Sequence, residues 1–247
     1  MVNKKTYISL IVIFIIFIGI VYLINNYQKM NKKYLILSDN EIYSFENDKL
    51  KKVTKDIEKQ LNITSISDST EYLTFTYKNN YLLFYEDGEP INIPSNFHFA
   101  YSSKLNIEVQ DYKYIDVSEE NLEKFDEILK NHDIIGYTYL NISKKLSYDF
   151  DSDGIKEDIY FVTNLFDEDE YDKVFSFVYY IKDDQIIYLQ EDVTNIENAY
   201  DLCLSDANDI FSLNNQKYMI ITCRYFSNKG VENKMYQYKK GNFNLMN

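Results

Sequence analysis

Short apolar runs broken by polar turns fill this chain, with two exceptions. The first is Tyr7 to Ile24, YISLIVIFIIFIGIVYLI, eighteen residues without a charge. That is near the shortest stretch able to span a bilayer as a helix, and Tyr7, Tyr22 and Tyr27 stand where aromatic anchors meet the interfaces. Ile24-Asn-Asn-Tyr-Gln28 beyond it offers no small-x-small cleavage site, so the pattern predicts an uncleaved anchor. Lys4 and Lys5 on one flank nearly balance Lys29, Lys32 and Lys33 on the other. Orientation therefore rests on length: a six-residue tail stays in the cytoplasm, and the bulk of the chain lies outside. The second exception is 117–133, where Ser118 caps an acidic first turn and Leu122, Phe125, Ile128 and Leu129 share one helical face.

Elsewhere the period is two. Four segments repeat an apolar strand, a polar turn and an apolar-aromatic strand: Tyr34 to Leu37 with Glu41 to Leu50, Tyr72 to Phe75 with Tyr81 to Gly88, Ile159 to Val162 with Phe175 to Leu189, and Tyr218 to Ile221 with Lys234 to Phe243. Asn, Asp or Gly marks each final turn, as hairpins require. Phe97 to Ile115 adds a poorer candidate hairpin. The last two repeats align best, because Phe211 to Lys217 stands before Tyr218 as an acidic stretch, Asp149 to Glu157, stands before Ile159. The expected fold class is mainly β with one helix, a propeller-like arrangement or a meander of β-hairpins, preceded by an N-terminal transmembrane helix. Its divisions are a cytoplasmic tail 1–6, a span 7–24, a linker 25–33, an N-terminal β-hairpin region 34–116, a helix 117–133 and a C-terminal β region 134–247. Irregular spacing between the repeats leaves a sandwich open as well.

Charge narrows the partners. The 247 residues carry 39 acidic against 26 basic side chains, and the first 33 residues hold five of the basic ones and no acidic one, which leaves −18 beyond the anchor. With no basic stripe to offset that balance, nucleic acid is excluded as a partner. Divalent cations and cationic partners are favoured instead. Twenty-five tyrosines beside no tryptophan and two prolines match the codon usage of an AT-rich bacterial genome, so tyrosine content alone marks no binding surface. Asn62-Ile-Thr64 and Asn141-Ile-Ser143 match a glycosylation sequon by chance in such a chain.

The strongest chemical signal is Asp149-Phe-Asp151-Ser-Asp153-Gly154-Ile155-Lys156-Glu157. Carboxylates at alternate positions repel one another unless a hard cation neutralises them, and Gly154 gives the backbone freedom to wrap it. Ile155 can add its carbonyl oxygen and Glu157 another carboxylate. An EF-hand needs a bidentate glutamate at the twelfth position, which here is Tyr160, and a β-rich run, Asp158-Ile-Tyr-Phe-Val-Thr163, follows in place of a helix.

Asp-x-Asp-x-Asp-Gly-x-x-Glu before an apolar strand resembles the calcium loop of FG-GAP (VCBS-type) repeats, the blades of integrin-like β-propellers, which also occur on bacterial surface proteins. The likeness covers about a dozen residues. It implies Ca²⁺ held by Asp149, Asp151, Asp153, the Ile155 carbonyl and Glu157. The place before Tyr218 holds Asn214 and Asn215 where carboxylates would be needed, so that copy is expected to bind no metal.

Catalytic chemistry has little to draw on. His98 and His132 are the two histidines and do not stand at metal-ligand spacing. His132 falls at a helix C-terminus, where a cation suits the dipole, and His98, between two phenylalanines, reads as a half-buried strand residue. Cys203 and Cys223, both in apolar runs, are a possible disulfide outside the cell or two small buried side chains. The function expected is a membrane-anchored extracytoplasmic module, stabilised by Ca²⁺, that binds a protein or glycan. The alternative is a Ca²⁺-dependent hydrolase of cell-wall or carbohydrate material. A sensory or accessory subunit of a membrane complex overlaps the first.

Overall fold

The computed structural model describes residues 13–23, 32–39, 41–47, 49–57, 63–65, 74–78, 81–86, 88–91, 99–102, 105–117, 122–134, 142–164, 172–227 and 229–246. Outside them lie the expected tail, both ends of the apolar span, residues 25–31 of the linker, His98, the asparagines of both sequons and the Ser118 cap. Residues 13–23 form a helix, α1, with exposed apolar side chains. No helix among the described residues is long and apolar enough to cross a membrane.

The protein is mainly β, and the chain divides into two compact units, 1–36 with 42–105 and 37–41 with 106–247. In unit 1, β1 (Lys33–Leu37), β2 (Ile42–Glu46), β3 (Lys49–Lys52), β4 (Ile63–Ser65) and β8 (Phe99–Ser102) make a sheet of order β3-β2-β1-β8-β4. A second sheet, β5-β6-β7, comprises β5 (Thr74–Lys78), β6 (Tyr81–Glu86) and β7 (Glu89–Ile91). The two hairpins expected in this region are present, with Leu35 opposite Tyr43 and Thr76 opposite Leu83. Alternate residues of both sheets meet in one cluster, where Tyr34 lies edge-on to Phe75 at 5.7 Å beside Ile36, Phe84 and Ala100.

Unit 2 is built in layers. One sheet runs β10-β11-β12-β13-β14, from β10 (Tyr114–Asp116), β11 (Ile142–Tyr148), β12 (Glu157–Thr163), β13 (Lys173–Lys182) and β14 (Gln185–Asn195). The other runs β18-β17-β16-β15-β9, from β9 (Ile107–Gln110), β15 (Cys203–Leu213), β16 (Gln216–Tyr225), β17 (Val231–Lys239) and β18 (Asn242–Leu245). Their facing sides share a core of Leu146, Ile159, Phe161 and Val178 against Ile210, Met219, Ile221 and Tyr236. Helix α2 (Leu122–Asn131) covers the other face of the first sheet, packing Phe125, Ile128 and Leu129 on Tyr160, Phe175, Phe177 and Tyr179. A strand covered on both faces cannot alternate apolar with polar. Accordingly Val174 to Tyr180 is buried at every position.

Three expectations change. The boundary between units falls after Leu105, because β9 pairs with β15 and β10 with β11; residues 106–116 thus belong with the C-terminal region. Phe97 to Ile115 is not a hairpin for the same reason, since β8 pairs with β4. Among the described residues the sheets close neither a barrel nor a propeller; the C-terminal repeats are consecutive antiparallel meanders.

Candidate metal centre

The acidic stretch is the connection from β11 to β12. Tyr148 and Glu157 are directly paired across the two strands, so residues 149–156 leave the sheet as a loop closed at its base. Phe150 turns inward. It is 2 % exposed and packs against Tyr148, Tyr238 and Phe243, with ring centroids at 4.9, 5.3 and 4.8 Å. The loop thereby gains an apolar anchor in the core between the sheets, while 151–156 stay exposed.

Chain reversal follows from two left-handed residues, Ser152 (φ 63°) and Gly154 (φ 89°). At Gly154 that conformation carries no Cβ penalty. The turn is fixed by the aspartates themselves. Asp149 accepts N–H bonds from Asp153 (3.2 Å) and Gly154 (2.9 Å), one on each carboxylate oxygen. Asp151 accepts a second from Asp153 (3.3 Å), and Asp153 accepts one from Ile155 (2.7 Å). Side-chain oxygens competing for backbone donors in this way favour a turn over a ladder.

The outcome is that one carboxylate oxygen from each of Asp149, Asp151 and Asp153 lies within 4.8 Å of the other two. Among the described residues, no ion pair involves these three. Two unit charges at that separation repel by about 0.9 kcal/mol in bulk water and about 3.5 kcal/mol at an effective dielectric of 20. A divalent cation reverses that sign. Hard carboxylate oxygens on a short loop are the donor set that Ca²⁺ takes, with water and backbone oxygens completing its shell.

Glu157 stands apart from the cluster. Its Oε2 accepts the Phe150 N–H at 2.8 Å and its Oε1 accepts the Tyr238 hydroxyl at 2.8 Å. Burial, this hydrogen bond and the negative charges of Glu157, Asp151 and Asp153 all push the Tyr238 hydroxyl pKa upward, which keeps it a donor. Glu157 thus braces the loop against the core from β12. The next residue, Asp158, is paired with Lys145 at 2.7 Å. Ile155 places its side chain in solvent, 71 % exposed, and uses its N–H on Asp153.

His132 is half-buried just beyond α2, with its ring 4.9 Å from Phe177 and its Nε2 3.6 Å from Glu191. Lys173 donates to its carbonyl at 3.0 Å, placing a cation at the negative end of the helix. Cys203 and Cys223 are joined by a disulfide across β15 and β16, with Cα atoms 5.3 Å apart. Both are fully buried. A cavity that the sequence reading missed lies in the same unit, and Arg224 lines it. The available signal was that Arg224 is the single arginine beside 25 lysines.

Comparison with family models, curated proteins and solved structures gives no match. The loop geometry and the layered sheets therefore carry the functional reading.

Proposed function

We propose that this chain is a membrane-anchored extracytoplasmic protein whose mainly β domain is stabilised by Ca²⁺ and serves as a binding module for a protein or glycan. The observation that carries it is the convergence of Asp149, Asp151 and Asp153 on a loop fastened to the core by Phe150 and Glu157. The uncharged run from Tyr7 to Ile24 supports the anchor. The propeller of the FG-GAP resemblance is not required: a single loop on a four-stranded meander suffices to hold the ion.

In this reading Ca²⁺ binds the folded loop and not the unfolded chain, so its binding free energy adds to folding. Its role is structural. The three oxygens come from exposed or half-buried side chains, which suits the weak sites of extracellular modules, with Kd on the order of 10⁻⁴ to 10⁻³ M. Urea unfolding of the full chain in detergent tests it, in EDTA and again with millimolar Ca²⁺ or Mg²⁺. Ca²⁺ raises the midpoint, Mg²⁺ does so less, and Asp151→Ala or Asp153→Ala removes the rise. A midpoint indifferent to Ca²⁺ in the unaltered protein overturns the metal centre.

A further inference from the structure

The core between the two sheets of unit 2 does not stay apolar to its end. On the facing side of three adjacent strands the residues change together: Leu146 gives way to Lys144 on β11, Phe161 to Thr163 on β12, and Val178 to Ser176 on β13. Beside them, the start of β15 and the end of β16 supply Asp206 and the pair of Leu204 with an exposed Arg224, which alternate with the core pair Ala207–Ile221. Between these groups lies a cavity of about 310 Å³. Its volume is at the lower end of those that hold small molecules.

Charge accounting singles out one group. Lys144 Nζ is 3.0 Å from Asp206 Oδ2 and 4.1 Å from the centre of the Tyr114 ring. The Tyr114 hydroxyl donates to the other Asp206 oxygen and accepts the Ala207 N–H at 2.8 Å. Lys144 and Asp206 therefore cancel and are held in place. Arg224 has no ion-pair partner among the described residues, so the lining carries one uncompensated positive charge in a chain of net charge −13. Polar donors are likewise mostly committed, since the Thr163 hydroxyl donates to the Phe175 carbonyl at 2.7 Å. Ser176 is the exception: it is 2 % exposed, it lines the cavity, and its hydroxyl has no hydrogen-bond partner among the described residues.

We propose that this cavity binds a small monocarboxylic acid with an apolar body, its carboxylate on the Arg224 guanidinium and the Ser176 hydroxyl and its body against Phe161 and Leu204. The planar guanidinium fork matches a carboxylate through two parallel N–H bonds. A phosphate monoester, near −2 at neutral pH, would face one free cation with Asp206 close by, so a single negative charge fits better. The site stands independently of the calcium loop.

Titration calorimetry of the full chain in EDTA tests it, with 3-phenylpropionate as probe and its uncharged amide as control. The acid binds with Kd on the order of 1 mM and the amide at least about tenfold more weakly. Arg224→Gln weakens the acid about tenfold or more and leaves the amide unchanged, whereas Leu204→Phe fills the cavity and weakens both. Equal binding of acid and amide overturns the proposal, and so does no saturable binding of the acid up to about 10 mM. Those two outcomes need no variant. Binding indifferent to both substitutions in folded protein overturns it as well.

Discussion

The two meanders of unit 2 repeat one plan with different first turns. Strands β11 to β14 and strands β15 to β18 each run up and down in sequence order and share a core. The second meander opens on Asn214-Asn215, two residues at φ 51° and 61°, and the β13–β14 turn likewise needs only Asp183-Asp184 at φ 50° and 65°. Left-handed pairs of this kind match the strand twist and favour Asn, Asp and Gly. Two residues therefore suffice to close a hairpin in this unit, as they do again between β17 and β18. The eight between Tyr148 and Glu157 exceed what topology demands, and their sequence divides into one apolar anchor and an exposed carboxylate cluster. The extra length serves the cluster.

The largest way to break this contrast is to pull the anchor. Phe150→Ala removes a ring buried against three others, and it is expected to cost about 3–5 kcal/mol in urea unfolding; a loss under about 1 kcal/mol would mean that the loop is not seated in the core. On the opposing meander the comparable fastening is covalent. Replacing Cys203 and Cys223 together by Ala, across a sequence separation of 20, is expected to cost about 3 kcal/mol. The Ca²⁺ increment comes next, about 2.7 kcal/mol at one hundred times Kd. It disappears with Asp153→Ala and survives Asn214→Ala, which costs about 1 kcal/mol by placing alanine at a left-handed position. A Ca²⁺ increment lost equally in both variants would erase the distinction between the two turns.

What could be read in advance was local. The alternation of Ile159 to Val162 and of Phe175 to Leu189 predicts strands that pair across short connections, and the structure pairs Phe161 with Val178. The aspartate spacing before Gly154 is equally local, and the three carboxylates do meet. Residues whose partners are distant were misplaced. Ile107 to Gln110 looked like half of a hairpin because its actual partner, Ile210 to Leu213, lies about a hundred positions on. Glu157 is expected among the ligands from its spacing, and nothing near it in sequence announces its hydroxyl partner Tyr238, 81 residues away. The apolar face of α2 was legible, but its resting place on Tyr160, Phe175 and Phe177 depends on a sheet assembled from later strands. Arg224 and Ser176 face one cavity only because two sheets pack together. Period and spacing report what a residue does to its neighbours in sequence, and these sites are made by neighbours in space.

The smallest expected effect concerns a carboxylate that differs from those of the loop. Asp39 accepts the N–H of Asn233 on β17 at 2.7 Å and that of Glu41 at 3.2 Å, half-buried and, among the described residues, outside any carboxylate cluster, where Asp151 and Asp153 are clustered and exposed. Burial pushes its pKa up from the ordinary aspartate value, and the two N–H donors offset this only in part. An acid whose pKa is higher folded than unfolded binds its proton more readily in the native state. The stability it contributes is complete below the unfolded value of 3.8 and is lost as pH rises through the raised native value. Unfolding free energies in EDTA, compared between the unaltered protein and Asp39→Asn, should show the unaltered protein losing ground to the variant from about pH 4 upward. The loop aspartates are present in both proteins and cancel in that difference. If the unaltered protein gains on the variant as pH rises, the Asn233 and Glu41 N–H groups outweigh burial, and Asp39 then belongs with the hydrogen-bonded carboxylates whose charged form the fold prefers.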